Sequence, residues 1–524
     1  MKRRRALAAS FVLACFALVT GRKISEYSAP PDREKKCDFI FPDDPRNEKF
    51  TTLIVKPPAH AISLDKQGGF INDASCLNKT PIYGVVKVHS VDDVRSSLEF
   101  ARANHLTVSI AGQRHSMGGQ SFSGNALVLD MRGLNQVNLD RYRKVAHVQA
   151  GATWAQIQQL IDKEGLAVQA MQSINVFTVG GSLSVNAHGI AHRPGPVAPT
   201  VLSIRIMLAN GQVMDASPNE NAELFRLALG GYGLFGVILD ADLQLVDNEV
   251  YSLETRDLDY RDFPAYYRTH IADDDRIGLM YGRLSVSPMS YLREAAIHIY
   301  RKTYFNGPIP PIEPPTHDRL DRFVINFSKT GGFGRWVRWT LEKHFGPKLH
   351  SCLSRNQATV QKEGCLVSRN EEMNDSMAYL RNQLKDTDIL QEYFIPQDRM
   401  AEFVDGLRSI VKQDGSNLLN VTIRAVHKDT ITALPYATQD MFAFVLYFNQ
   451  KLNKEQSSKL QKTTVDLIDL VTSLSGTFYL PYQLYYSPDQ LRRAYPEIDA
   501  FFLLKKQYDP DGLFSNKFYE KYGE

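Results

Sequence analysis

Three glycine-rich stretches constrain this chain more than anything else in it: AGQRHSMGGQ at 111–120, VGGSLSVNAHG at 179–189 and GGYGLFG at 230–236. Glycine takes positive φ without penalty and lets backbone N–H groups come close to a ligand, so glycine loops beside polar residues suit a diphosphate. The third stretch contains Gly231-Tyr232-Gly233-Leu234-Phe235-Gly236, a GxGxxG string, but its surroundings run the wrong way for a Rossmann site. A Rossmann loop leaves a strand and opens a helix. Here a helical pattern at 222–229 precedes the loop and a strand-like run at 237–245 follows it.

At roughly 100–200 residues per domain, 524 residues give two to four domains. Sixty-one Lys and Arg balance 58 Asp and Glu, which argues against nucleic acid as a partner, and 43% hydrophobic content argues against disorder. The longest apolar run, 6–20, falls short of the ~20 residues of a membrane-spanning helix. It follows a basic start, MKRRR, as in an export signal, so 1–21 reads as a signal peptide or an uncleaved membrane anchor. The expected location is periplasmic, secreted or anchored. Beyond the leader, Cys37, Cys76, Cys352 and Cys365 lack the close spacing of a zinc site. Pairing as 37–76 and 352–365, or four thiols, are both open.

Residues 22–79 read as an extended N-terminal segment. Ser90 to Asp93 forms a capping box opening a helix to 104, and strands are expected at 107–110, 127–131 and 145–149. Thr153 with Gln156 caps a helix over 153–164, Asn210-Gly211 suits a type I′ hairpin, and Ser217-Pro218 opens a helix toward Gly230. The mixture of short strands and helices is α+β, with a first domain over 80–248. From 249 to 486 a second domain is expected. It has strands at 392–395, 418–426 and 441–448, a helix from Pro396 burying Met400, Phe403, Leu407 and Ile410, and a helix over 455–474. This pattern gives an antiparallel sheet carrying helices. The last segment, 487–524, holds two helices and then DPDGLFSN at 509–516.

The three loops and that tail, in this order, resemble the FAD-binding domain of the vanillyl-alcohol oxidase and p-cresol methylhydroxylase (PCMH-type) superfamily. The resemblance implies a two-part FAD-binding domain, a substrate-binding cap and a C-terminal segment returning to the first domain. It also implies a flavin cradle. Ala111, Gly112, Gln113, Arg114, Ser116, Gly118, Gly119, Gln120 and Ser121 match the pyrophosphate loop. Gly180, Gly181, Ser182, Asn186, His188 and Gly189 match the second loop, and Gly233, Gly236, Val237 and Ile238 the third, with Asn516 from the tail. His115 stands where many members bond the flavin 8α carbon, the alternative being a loop histidine that only hydrogen-bonds. Val176 occupies the place of the second tether in doubly linked relatives, so one covalent bond is the maximum. His188 and His192, four apart, lie among Gly and Pro with no carboxylate nearby in sequence, so no metal is expected. His188-Gly189 is expected to contribute backbone near the flavin ring.

For the cap the resemblance is thinner. Sugar-alcohol and lactone oxidases of the superfamily carry Glu-x-Arg on a cap strand, and here Thr422-Ile423-Arg424 stands in that place. Arg424 is expected to face the reacting centre and stabilise negative charge, or else to be a surface ion-pair residue. The missing glutamate argues against polyols and lactones. A His-Trp-x-Lys motif is replaced by FYLPYQLYY at 478–486, which makes Tyr482, Gln483 and Tyr485 candidates for substrate orientation or proton removal, with aromatic packing as the alternative. At 329–343, KTGGFGRWVRWTLEK sets Trp336 and Trp339 among basic residues, as in an interfacial helix or a helix packed into the cap.

The expected function is an FAD-dependent oxidoreductase, oxidase or dehydrogenase. It would move hydride from an alcohol, sugar or lactone-like carbon of a small molecule to flavin N5, with O₂ or another acceptor. The alternatives are a C=C reductase resembling the sterol reductase branch and a non-catalytic flavin-binding module.

Overall fold

A computed structural model describes residues 25, 27, 62–312, 318–349, 366–373 and 386–523, without the side chains of 318–322 and 344–349. The leader at 1–21, most of the Pro-rich segment before residue 62, and Cys37, Cys352 and Cys365 lie outside the described residues. Cys76 is disulfide-bonded.

The first of the larger sheets sets Gly84–Lys87, Leu127–Asp130 and Val108–Ala111 parallel, in that order, with Lys66–Gln67 antiparallel at the edge. Parallel neighbours need a crossover, and helix Val91–Ala103 supplies it. Ser90 Oγ accepts the Asp93 N–H while the Asp93 carboxylate takes the Ser90 N–H, so the helix starts where the sequence indicates. Val94, Leu98 and Ala101 then bury against Val108, Leu127 and Leu129. The C-terminal tail closes this sheet. The Val108 N–H donates to Leu513 O, and the Ser515 N–H donates to Val108 O.

The second sheet is antiparallel, ordered Val213–Ala216, Val201–Met207, Val237–Asp247, Val145–Gln149 and Val137–Asp140. The helix before the third glycine loop spans Ala222–Ala228, and strand Val237–Asp247 follows that loop. The helix begins four residues later than Ser217-Pro218 suggests, because Ser217 Oγ accepts the N–H groups of Asn219 and Glu220 and spends them in a turn. The hairpin at 208–212 also departs from expectation. Gly211 takes positive φ (85°) but Asn210 does not, whereas a type I′ turn needs both residues there. The Gly211 N–H instead closes a turn on Leu208 O.

An eight-stranded antiparallel sheet forms the cap. Its order is Leu366–Ser368, Val250–Asp259, Glu294–Lys302, Ile277–Leu284, Asn417–Val426, Met441–Lys451, Asp386–Pro396, Thr477–Phe478. Helices Met400–Asp414 and Lys454–Ser473 cover one face, where Phe403 packs on Tyr393 and Phe444. On helix Met400–Asp414 the buried residue after Leu407 is Val411; Ile410 is only half-buried. The opposite face turns to the first two sheets. It also carries the helical pair Asp318–Ser328 and Gly332–Leu349, anchored by Lys329 on Asp388 and by Trp339 Nε1 on Glu294.

The tail is held by a buried ion pair. Lys505 Nζ lies 2.5 Å from Asp509 Oδ2, with side chains 0% and 1% exposed, and the Asp509 carboxylate also accepts the N–H groups of Leu513 and Phe514. Burial pulls the Lys505 ammonium below its ordinary range and Asp509 opposes that pull. Removing one member of a buried pair strands the other. Asp509→Ala should therefore cost about 3–5 kcal/mol, read as a lower thermal unfolding midpoint. An unchanged midpoint would show that the tail is held by other contacts.

Candidate active site

The three glycine loops meet the inner face of the cap sheet around one cavity. The first loop leaves strand Val108–Ala111 at Gly112. A Cβ built on Gly112 would lie 2.0 Å from Thr178 Oγ1, so only glycine lets this loop close on the second. The next residues are braced by a polar strap at 72–78. The Asp73 carboxylate accepts the Gly119 N–H at 3.0 Å and Asn78 Nδ2 at 2.8 Å, and the Ala74 N–H donates to Arg114 O. Burial lifts the Asp73 carboxyl to about 6 despite those donors.

Each loop holds one non-glycine residue in the left-handed region: Arg114 (φ 54°), Asn186 (φ 47°) and Tyr232 (φ 56°). Such a residue costs on the order of 1–3 kcal/mol and persists only where its surroundings over-determine it. The surroundings here do so. Asn186 Nδ2 donates to Asp429 and its Oδ1 accepts the Ala198 N–H. Tyr232 is fixed at both ends, its N–H on Ser184 O and its carbonyl on Asn516 Nδ2.

Gly112, Gln113, Arg114, His115, Ser116, Gln120 and Ser121 line the cavity, as do Gly180, Gly181, Ser182, His188, Gly233, Gly236 and Ile238. The remaining expected cofactor residues stand behind the wall. Ala111 and Val237 are core residues of their strands, 2% and 0% exposed. Gly118 and Gly189 pack on the carbonyls of Tyr482 and Met171, where a Cβ would come within 2.2 and 2.1 Å. Gly119 is committed to Asp73, Asn186 to Asp429, and Asn516 to Tyr232 and the N-terminus of helix Lys517–Tyr522. These residues shape the loops without facing the cavity.

Of the cap candidates, Arg424 and Tyr482 line the cavity and Gln483 and Tyr485 do not. Gln483 is buried and donates to Ser75 Oγ at 3.0 Å. Tyr485 donates its N–H to Gln483 O, and its hydroxyl is engaged with Ser457. Tyr479 lines the cavity instead, its hydroxyl donating to Val185 O. Burial pushes Tyr482 well above the ordinary phenol range, which makes it a hydrogen-bond donor rather than a base.

His188 departs most from expectation. A carboxylate does lie beside it, from residue 392: Glu392 Oε1 is 2.7 Å from His188 Nε2, both side chains 2% exposed, although the ring N–H is not aligned on that oxygen. The His188 side chain is thus part of the site along with its backbone. His192 goes its own way, Nε2 on Ile277 O at 3.2 Å, and burial draws its imidazole down to about 4. Arg424 Nη2 donates to Ser173 Oγ at 2.8 Å, Nη1 to His188 O at 3.3 Å, and Nη1 stands 3.9 Å from Glu392 Oε1. Tyr482 OH donates to Glu392 Oε2 at 3.4 Å. Burial alone would raise the Glu392 carboxyl, but His188, Arg424 and Tyr482 together hold it below the ordinary carboxylate range.

This cavity fits a dinucleotide carrying a flat ring. Ser121 Oγ is buried without a protein partner among the described residues, beside backbone free of side chains at Gly112. Farther along, Ile174, Phe177, Val185 and Ala187 give the apolar walls a ring system needs. His115 packs against Phe177 with ring centroids 4.2 Å apart and planes tilted by 37°, and both line the cavity.

Residues 82–217 match the FAD binding domain family, and residues 333–522 match the D-arabinono-1,4-lactone oxidase family. Among curated proteins, L-gulonolactone oxidase of Bos taurus is 31% identical over 158 residues, 30% of this chain and 36% of that protein. Cytokinin dehydrogenase 2 of Arabidopsis thaliana is 30% identical over 165 residues, 31% and 33% of the two chains. D-arabinono-1,4-lactone oxidase of Yarrowia lipolytica is 29% identical over 170 residues, 30% and 31%. The chain thus spans about a third of the length of the curated relatives it matches.

The contact of Gly112 with Thr178 gives a direct test of the cradle. Gly112→Ala should sharply lower flavin retained after gel filtration, and adding Thr178→Ala, which removes the colliding hydroxyl, should restore it. Full retention by the single variant would show that the two loops need not close.

Proposed function

We propose, from the chain's membership of the PCMH-type FAD-binding oxidoreductase superfamily, that it is an FAD-dependent oxidase or dehydrogenase acting on an alcohol, sugar or lactone-like carbon. The observation that carries this reading is that one cavity joins the glycine loops to a largely enclosed cation, Arg424. FAD, when bound, supplies the hydride acceptor. Backbone N–H groups of the cavity-lining residues of the 112–121 loop would hold the diphosphate, and Ser121 Oγ would add a donor. Arg424, fixed by Ser173 and by the carbonyl of His188, is already oriented for negative charge that develops beside it. A cation that needs no reorientation during reaction is worth more than the same cation in water. A lactone-like substrate is supported by the family match across the cap and by two of the relatives, and O₂ is the acceptor class that the oxidases among them suggest.

His115 is the proposed tether to the cofactor. A neutral imidazole is nucleophilic, and its tilted contact with Phe177 restricts the orientation of that imidazole. Acid-precipitated holoprotein should stay yellow, and precipitated His115→Ala should release its flavin to the supernatant. Release from the wild type would reduce His115 to a non-covalent contact.

The reading extends to an exported or membrane-anchored protein with an aromatic lipid contact. The basic residues of 329–343 do not serve it. Lys329 is spent on Asp388 and Asp386, Arg335 on Asn417, Arg338 on Glu342, and Lys343 on Glu294, while Trp339 is buried. What stays exposed is Phe333 (69%) and Trp336 (40%), the end of an aromatic row running Tyr27, Phe323, Phe327, Phe333, Trp336. Tyr27 follows the apolar run 6–20 closely in sequence, so the row continues from the segment that would reach a bilayer. Brominated phosphatidylcholine vesicles should quench tryptophan fluorescence, and Trp336→Phe should abolish that quenching. No quenching in the wild type would exclude the contact.

A further inference from the structure

The Thr422 position lacks the carboxylate that sugar-alcohol and lactone oxidases carry there, and strand register shows where the chain puts one instead. Thr422 pairs with Val445, and Val445 pairs with Glu392 on the strand beyond. Residues directly opposite in antiparallel strands project to the same face, so Glu392 emerges on the same side of the sheet as Thr422, two strands over. Arg424 pairs with Ala443 and Ala443 with Phe394, one row along, which puts Arg424 on that face as well. The acid and the cation are thus both present, drawn from different strands.

Resting on the reading of the cavity as a flavin site, we propose that Glu392 is the proton acceptor of the oxidation and that His188 positions it. In the step, the substrate carbon gives up its hydrogen with the bonding electron pair to the bound flavin. The hydroxyl on that carbon gives its proton to Glu392, and the carbon–oxygen bond becomes a carbonyl. The flavin gains two electrons, the substrate loses two, and the proton leaves later to solvent.

Two observations support this assignment. Glu392 lines the cavity while its side chain is 2% exposed, a burial that a carboxylate without a task would not keep. Its partners, His188 Nε2 at 2.7 Å, Arg424 Nη1 at 3.9 Å and the Tyr482 hydroxyl at 3.4 Å, keep it ionised and ready to accept. A carboxylate so stabilised is a weak base toward a resting alcohol. It is strong enough once hydride departs, because the hydroxyl of a carbon losing hydride becomes a protonated carbonyl and turns strongly acidic. Proton transfer is thereby tied to hydride transfer.

Two experiments on the holoprotein test the role. The first needs no substrate: acetate is titrated at neutral pH and followed through the flavin absorbance. Glu392→Gln removes the negative charge beside Arg424, so acetate should bind at least tenfold more tightly than to the wild type, while Glu392→Asp should bind it as weakly as the wild type. Equal affinity in wild type and Glu392→Gln would overturn the proposal. The second uses whichever member of a panel of alcohols, sugars and lactones bleaches wild-type flavin fastest under anaerobic conditions. Glu392→Gln should lower the bleaching rate about 10²–10⁴-fold, with KM changed far less, and should flatten the acid limb of its pH profile. An unchanged rate in a yellow Glu392→Gln protein would refute Glu392 alone, whereas a colourless wild type would refute the flavin reading beneath it.

Discussion

The guanidinium of Arg424 ties the two halves of this molecule together. It springs from the middle of the cap sheet and bonds to Ser173 Oγ and to the carbonyl of His188, both in the glycine-loop half. Those two bonds fix the distance between the wall that suits a flavin and the wall that suits a substrate. Because Arg424 is only 13% exposed, its charge has to be answered inside the protein, and Glu392 answers it. Once a carboxylate and a guanidinium are buried together, removing either exposes the other to the full cost of desolvation. The cavity's chemistry and its architecture therefore rest on the same contacts.

The strain in the glycine loops has the same logic. Arg114, Asn186 and Tyr232 sit in a backbone region costly to side chains, and each is bonded to a segment remote in sequence: the 72–78 strap, Asp429 of the cap and Asn516 of the tail. The loops keep these conformations only with those remote segments in place. A cavity assembled this way is held open by the whole chain, which suits a site that must keep its donors in place without help from solvent.

Much of this was legible in the sequence, because local signals specify local structure. The capping boxes at Ser90 and Thr153 mark real helix starts, and the helix-loop-strand order around GYGLFG survives intact. Glycines at which a Cβ would collide can be suspected from their clustering. What could not be read was anything set by strand register. Glu392 is one polar residue in a buried strand, and only pairing through Val445 brings it to the Arg424 side of the sheet. His188 suffered the same blindness: no carboxylate lies near it in sequence, and one lies 2.7 Å away in space. The 72–78 strap was missed for a different reason. Its structure is a set of side-chain to backbone bonds from Asn72, Asp73 and Ser75, which have no periodicity to detect.

Register also explains why the departure from the Glu-x-Arg pattern need not mean a departure in chemistry. What hydride abstraction requires is an acid–base group and a cation on one face of one wall, and a sheet offers many pairs of positions that meet that condition. Moving the carboxylate two strands over preserves the face and changes the neighbours. At position 392 it gains His188 and the Tyr482 hydroxyl, while Thr422 now accepts hydrogen bonds from Arg283 and Asn420. The charge that a glutamate at 422 would bring beside Arg283 is absent, so that arginine is held by a neutral hydroxyl. A carboxylate at 392 and a hydroxyl at 422 together set the wall on either side of Val445. Under the proposed function, substrate preference should follow the shape of that wall.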